Sequence, residues 1–216
     1  MRPIQQTITL AAASANGIAT AQTPGLNANL TLNGSFVSGG IATLTPPRSV
    51  TLASTSDFSA VVFTIYGYDE NNYPAIEVVV GPNNNTKTST TNFKTVTRIA
   101  TDSPGTFTTE TVTAGAEASG IGNGPWWPLD LYNPNQVTTI SVNILTGSAT
   151  YSVEYTNEDP FDTTITQLAV AHPAAAFAGA STDQTHFTTT LMRAVRVNYA
   201  SGTGTVRVTV TQQSTV

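Results

Sequence analysis

From Ser49 onward, apolar and polar positions alternate in short runs that are divided by Gly, Pro, Asn and Asp. The runs 50–52, 60–66 and 76–80 read as strands, because branched and aromatic residues at a period of two suit a pleated surface. Gly67, Asp69, Asn71, Asn72 and Pro74 separate the last two and predict a hairpin turn over 67–74. In the Thr-rich run 86–101 the second half carries Phe93, Val96 and Ile99, whose broken alternation predicts a strand with a bulge. A further strand is expected over 106–113. Four glycines over 115–124 then mark the boundary between two halves.

The second half alternates more strictly. Strands are expected over 137–145 and 150–156, around a turn at Thr146-Gly147-Ser148, with Tyr151, Val153 and Tyr155 on one face and Ser152 and Glu154 on the other. The runs 194–199 and 206–210, joined by Ala200-Ser201-Gly202-Thr203-Gly204, read as a hairpin. Val195, Val197, Tyr199, Val206, Val208 and Val210 share its core face, while Arg196, Arg207 and Thr209 point outward. Only 171–182 has the alanine density of a helix, and Pro173 and Gly179 limit it to a short turn. A weak likeness between Tyr68-Asp69-Glu70 before Pro74 and the stretch from Tyr155 to Pro160 hints at two similar sandwiches.

Residues 1–47 are different. They hold no acidic residue and one aromatic, Phe36, and their apolar residues come singly or in pairs, as at Leu30 and Leu32. An extended N-terminal arm with short strands is expected, ordered against a neighbour; the alternative is a pair of edge strands on the domain's own sheet. The reading is all-β: an antiparallel β-sandwich, jelly-roll or Ig-like, as one large or two tandem sandwiches. Its parts are the arm 1–47, a first half 48–115 and a second half 116–216.

Composition sharpens this picture. Forty Thr and sixteen Ser against two Lys give a surface of hydroxyls and amides, which argues against helices. A net charge of -5 with eight thinly spread basic residues offers no patch for phosphates, so neither nucleic acid nor an anionic membrane is expected as a partner. The absence of Cys excludes disulfides, thiolate metal sites and thiol nucleophiles. Neither a convincing signal-peptide core nor a spanning apolar run is found, and a soluble protein made in a cytoplasm is the expectation.

Candidate chemistry is sparse. His172 and His186 lie in or beside Ala- and Thr-rich loops, and no G-x-S-x-G motif presents a serine, so both read as ordinary surface or loop residues. Asp69-Glu70 and Glu158-Asp159-Asp162 fall in turns, where carboxylates accept bonds from turn N–H groups. Asn157, Glu158, Asp159 and Asp162 carry oxygens suited to calcium but lack EF-hand spacing. The glycines at 120, 122 and 124 precede Pro125-Trp126-Trp127-Pro128 and no helix, which removes the phosphate-cradle argument. No catalytic residue, cofactor or metal is expected. The adjacent tryptophans point to opposite faces of a strand, so Trp126 and Trp127, with Phe36, Leu30 and Leu32 of the arm, are the candidate interface residues.

As a set, Ser49-Val50-Thr51-Leu52, the run from Ser59 to Glu70, the run from Glu77 to Gly81-Pro82-Asn83 and Phe93-Lys94-Thr95-Val96-Thr97-Arg98-Ile99 resemble virion structural proteins of tailed bacteriophages. The likeness continues through Trp127-Pro128-Leu129-Asp130, Tyr151-Ser152-Val153-Glu154-Tyr155 and Arg193-Ala194-Val195-Arg196-Val197-Asn198. It covers roughly 48–212 and leaves the arm outside. In such proteins the 67–74 turn tends to read Gly-x-Asp-x-x-Gly; here Asn71-Asn72-Tyr73 replaces the glycine, so a longer or differently shaped turn is expected. The resemblance implies a β-rich decoration or cement protein of the capsid with no catalytic residues. Its partners would be the major capsid protein or other virion proteins and copies of itself, with a trimer favoured, in a virion assembled in the host cytoplasm. A neck, tail or fibre component is the first alternative. A carbohydrate-binding module, stacking sugars on Trp126 or Trp127 with Tyr68 or Tyr73, is the second.

Overall fold

The computed structural model describes residues 3–102, 107–117, 122–130, 137–162, 164, 165 and 167–213. The strands are β1 (Ile4–Thr9), β2 (Ser14–Gln22), β3 (Val37–Ser38), β4 (Ile41–Ala53), β5 (Val62–Tyr68), β6 (Pro74–Val80), β7 (Thr86–Asp102), β8 (Val112–Ala116), β9 (Trp127–Pro128), β10 (Thr138–Thr146), β11 (Ala149–Thr156), β12 (Val170–Ala171), β13 (Gln184–Thr188), β14 (Ala194–Gly202) and β15 (Thr205–Gln212). One 3-10 turn, Ala175–Phe177, is the only helical element among the described residues, and it falls in the alanine-dense passage. The protein is all-β, with every strand pairing antiparallel.

Two units form, and they do not follow the expected boundaries at 47/48 and 115/116. A central unit is built from Ala12–Gly122, and a terminal unit from Met1–Ala11 with Asn123–Val216. The N-terminal residues therefore do not stand apart as an arm. β1 pairs along its whole length with β15 in the terminal unit, Ile4 opposite Val210 and Thr9 opposite Thr205. β2, β3 and the start of β4 join the central sheet, where Ile18, Leu30, Ala42 and Leu44 are core residues. Isolated apolar residues give no periodicity to follow, yet Ile18, Leu30, Ala42 and Leu44 are surrounded by apolar side chains and removed from water, which is what holds these segments in place.

The central unit is one seven-stranded sheet in the order β2-β8-β4-β7-β5-β6, with β3 beside β4. Its core is made of inward residues of alternating strands, among them Val50, Leu52, Phe63, Ile65, Phe93, Val96 and Ile99. The long strands β4 and β7 change register where the chain forces them to. Their pairing shifts between Thr43 and Arg48, where Pro46 and Pro47 have no N–H to give. On the other side of β7, Tyr66 faces Arg98 but Gly67 faces Val96, so Thr97 is the extra residue of a bulge, as the broken alternation predicts. The β5–β6 hairpin forms as expected. Asp69 accepts the N–H groups of Asn71 and Tyr73 at 2.9 and 2.8 Å, and Asn72 takes the left-handed conformation at φ 65° that a glycine would otherwise supply. By contrast, the strand expected over 106–113 is β8, starting at Val112. Thr106 lies outside the described residues, and Phe107 instead packs on Phe58 with ring centroids 4.6 Å apart.

The terminal unit is a sandwich of two four-stranded sheets, β1-β15-β10-β13 and β12-β11-β14-β9. The hairpin expected over 194–210 is corrected here, because β14 and β15 lie in different sheets. The chain from 138 to 156 pairs antiparallel with the chain from 194 to 212, from Thr138 opposite Gln212 to Thr156 opposite Ala194. This two-stranded ribbon bends at Thr146-Gly147-Ser148 and at Gly202-Thr203-Gly204, so that each half enters a different sheet. The two corners lie side by side: Thr203 and Gly204 donate to the Ser148 carbonyl at 3.0 and 3.1 Å. Gly147, at φ 66°, leaves a would-be Cβ 2.7 Å from Gly204, so neither position accommodates a side chain. Face assignments are as expected, with Val195, Val197, Tyr199, Val206, Val208 and Val210 buried and Arg196, Arg207 and Thr209 half-buried outside. The two units thus differ in architecture, and the hint of two similar sandwiches is not followed.

Candidate interaction surface

The five residues chosen from sequence as an interface do not meet on one surface. Trp127 lies in β9 opposite Val195. Trp126 lies beneath the Arg196 guanidinium, whose carbon is 4.3 Å from a ring centroid and whose Nε donates to Glu154 at 2.8 Å. Both rings are buried, at 6% and 9% exposure. Leu30 is fully inside the central core, and Leu32 and Phe36 pack half-buried against it. These apolar groups are packed within their own units. The covered tryptophan rings offer little exposed face for stacking a sugar.

The loop acids are held separately, each by a turn. Asp159 accepts the Phe161 N–H at 3.0 Å and an Arg193 nitrogen at 2.6 Å; Asp162 accepts both the N–H and hydroxyl of Thr164. Those two bonds, first from the hydroxyl and then from the N–H, hold the Asp162 carboxyl below its usual range. Glu158 accepts the Leu168 N–H. Each of these carboxylates has its own partner, and among the described residues no group of three or more His, Cys, Asp or Glu is arranged to hold a metal ion.

His172 lies in a loop, as expected, but is buried there, whereas His186 lies in β13. Its Nδ1 accepts the Ala174 N–H at 3.1 Å, and its ring meets Phe177 edge-on at 5.0 Å. Phe177 in turn meets His186 at 5.1 Å, and His186 contacts Gln184. Burial, with His186 nearby, pushes the His172 pKa down to about 4. Both imidazoles are thus committed to packing around Phe177.

What the structure exposes is apolar surface elsewhere. In the terminal unit a cleft of 470 Å³ is lined by Pro128, Leu129, Asp130, Asp159, Pro160, Phe161 and Arg193. Phe161, Ile165 and Leu168 of the following loop and Leu191 are exposed, as is Phe187 on the edge strand β13. In the central unit the edge strand β6 exposes Ile76, Val78 and Val80 at 64%, 63% and 53%. Their pairing with Tyr66, Thr64 and Val62 of β5 places all six on one outer face. Sequence reasoning missed this surface, although its signal is present: in 76–80 every residue but Glu77 is apolar, so burying one face leaves the other apolar too.

A scan against protein-family models found no match, and a search of curated proteins found no significant relative.

Proposed function

We propose that this chain is a non-enzymatic structural protein of a tailed-bacteriophage virion, a decoration or cement protein that binds the major capsid shell as an oligomer and stabilises it. The observation that carries the reading is the distribution of exposed apolar side chains. They sit on hydrogen-bonded strands and a turn-stabilised loop of a surface otherwise made of hydroxyls and amides, as docking surfaces do. Asp69, Glu77 and Asp162 add support, since each is spent on a turn or a strand bulge. The motif resemblance over 48–212 supplies the class of particle.

The test is reconstitution. Purified protein is added to capsid shells lacking decoration, and binding stoichiometry and shell melting temperature are measured. Saturable binding at hundreds of copies with a higher melting temperature is expected. Binding at six or twelve copies would move the protein to a neck or tail ring, a few trimers would move it to a fibre, and no binding to shells or tails would overturn the reading.

A further inference from the structure

The two edges of the central sheet are treated differently. Along β2, residues 31–36 occupy the outer side: Asn33 and Gly34 donate to the Ile18 carbonyl, Phe36 donates to Gly17, and the Thr31 N–H reaches the Gln22 side chain. At the opposite edge, β6 has a strand partner on one side only. The hydrogen-bond phase of its hairpin follows from two bonds that bracket it, Gly81 N–H to Val61 at 2.9 Å and Asp69 N–H to Tyr73 at 3.0 Å. Bonded pairs alternate from there, so Ala75, Glu77 and Val79 bond to β5 while Ile76, Val78 and Val80 turn their N–H and C=O groups outward. The same three residues carry the exposed apolar side chains. Pro74, whose nitrogen lacks a hydrogen, falls in the outward phase as well, where a proline breaks no ladder bond.

Natural sheets protect a long edge with lysine, inward charge, bulges or a covering segment. β2 is covered. β6 carries no lysine, and its inward charge, Glu77, is already paired with the N–H groups of Thr90 and Thr91, which leaves only Pro74 at the start of the strand as a guard. Outward amides and carbonyls at every second residue, beside a branched apolar row, fit one kind of occupant, an extended strand.

We propose that β6 is a self-association edge, pairing antiparallel with β6 of a second copy of this chain. The second copy is favoured by the symmetry of the row. With Val78 on the twofold axis, Ile76 faces Val80 of the other copy, and each Glu77 faces Val79 instead of another carboxylate. Three hydrogen-bonded pairs with two bonds each give about six bonds across the axis. A head-to-tail pairing of β6 with β2 is closed off by residues 31–36. The contact is of the small, transient class, so dimers are expected at roughly micromolar concentration and above. This inference does not depend on the virion reading.

The test exploits the absence of Cys from the chain. In the full-length protein, Val78→Cys is oxidised and compared with Ile76→Cys and with Ile76→Cys/Val80→Cys. A hydrogen-bonded antiparallel pair holds its Cα atoms about 5.5 Å apart, within disulfide range. Val78→Cys and the double variant are expected to cross-link into dimers, and Ile76→Cys alone is not. Sedimentation of the unoxidised wild-type protein is expected to show a monomer–dimer equilibrium that Val78→Lys abolishes without changing the melting temperature. Equal cross-linking of Val78→Cys and Ile76→Cys would overturn the register. A wild-type protein monomeric at high concentration, or an oligomer insensitive to Val78→Lys, would overturn the proposal.

Discussion

The Glu77 carboxylate closes the gap that the bulge at Thr90 opens in β7. Ser49 faces Asn92 and Thr51 faces Thr88, so Thr90 and Thr91 are set free from β4. Both N–H groups donate to Glu77, each at 2.7 Å, and the Thr90 hydroxyl joins them at 3.1 Å. Partial burial raises the Glu77 pKa, but the bonds from Thr90 and Thr91 outweigh it and hold the carboxyl below its ordinary value of 4.5. Glu77→Ala removes both backbone bonds and is expected to lower stability by about 0.5–1.5 kcal/mol in urea unfolding at neutral pH, because water reaches the exposed Thr90. The pH dependence has a definite sign. As pH falls, the unfolded carboxyl is protonated first, so this contribution is present above about 4.5 and is lost as pH drops through the lower folded value. Glu77→Gln should remove that component of acid destabilisation; an acid limb unchanged by the substitution would show that the carboxylate does not hold the bulge.

Gly67 lies opposite the second bulge of β7, where a Cβ would sit 1.9 Å from the Thr95 carbonyl oxygen and 3.0 Å from the Phe93 ring. Because the nearest atom is backbone, the strand itself must move. Gly67→Ala is expected to destabilise by about 1–3 kcal/mol or more through overpacking. Gly39, at φ 60° with nothing within 4 Å, tests the other mechanism. Gly39→Ala should cost only about 1 kcal/mol of left-handed strain. Thermal melts of the two variants with similar shifts would contradict the close approach at Gly67.

Removing residues 1–47 is expected to unfold the protein instead of trimming a tail. The deletion takes β1 from the terminal unit, and β2, β3 and part of β4 from the central one, together with Ile18, Leu30, Ala42 and Leu44. Loss of large core side chains costs about 2–5 kcal/mol each, against a total stability of about 5–15. The fragment 12–122, by contrast, retains every strand of the central sheet and should fold alone, with a strand-type circular dichroism spectrum and a cooperative melt. A folded 48–216 fragment would restore the arm; an unfolded 12–122 fragment would mean that the unit is not autonomous.

These fragments also show where sequence reasoning stopped. Alternation names the face on which a side chain lies, and at Val195, Val197, Val206 and Val208 it did so correctly. It carries no information about the partner strand. Gly202 and Gly204 were therefore read as a hairpin turn, whereas they bend a ribbon whose partner lies about fifty residues earlier in the chain. Local chemistry was legible where a side chain bonds its own turn, as at Asp69, or where branched residues break phase, as at Thr97. Leu30, Trp126 and Trp127 show the opposite case. Isolated apolar residues look available until the chain closes over them, and Arg196, which covers Trp126, is seventy residues away.

His172 provides the last prediction. Its Nδ1 accepts the Ala174 N–H, so the folded form holds the ring neutral, with its proton on Nε2 and the ring against Phe177. Burial lowers its pKa from 6.5 to about 4, with His186 adding to the effect. The unfolded imidazole therefore binds a proton at higher pH than the folded one, and stability falls as pH drops from about 6.5 to about 4, then levels once both states are charged. Carboxylates titrate in the lower part of that window, so the readout is the difference between the wild-type protein and His172→Leu in urea unfolding across the range. The wild-type protein is expected to lose more stability on acidification, and proton NMR should show the His172 ring titrating well below 6.5. A midpoint at or above 6.5, or parallel curves for the two proteins, would mean that the imidazole reaches water and that Phe177 does not enforce its neutrality.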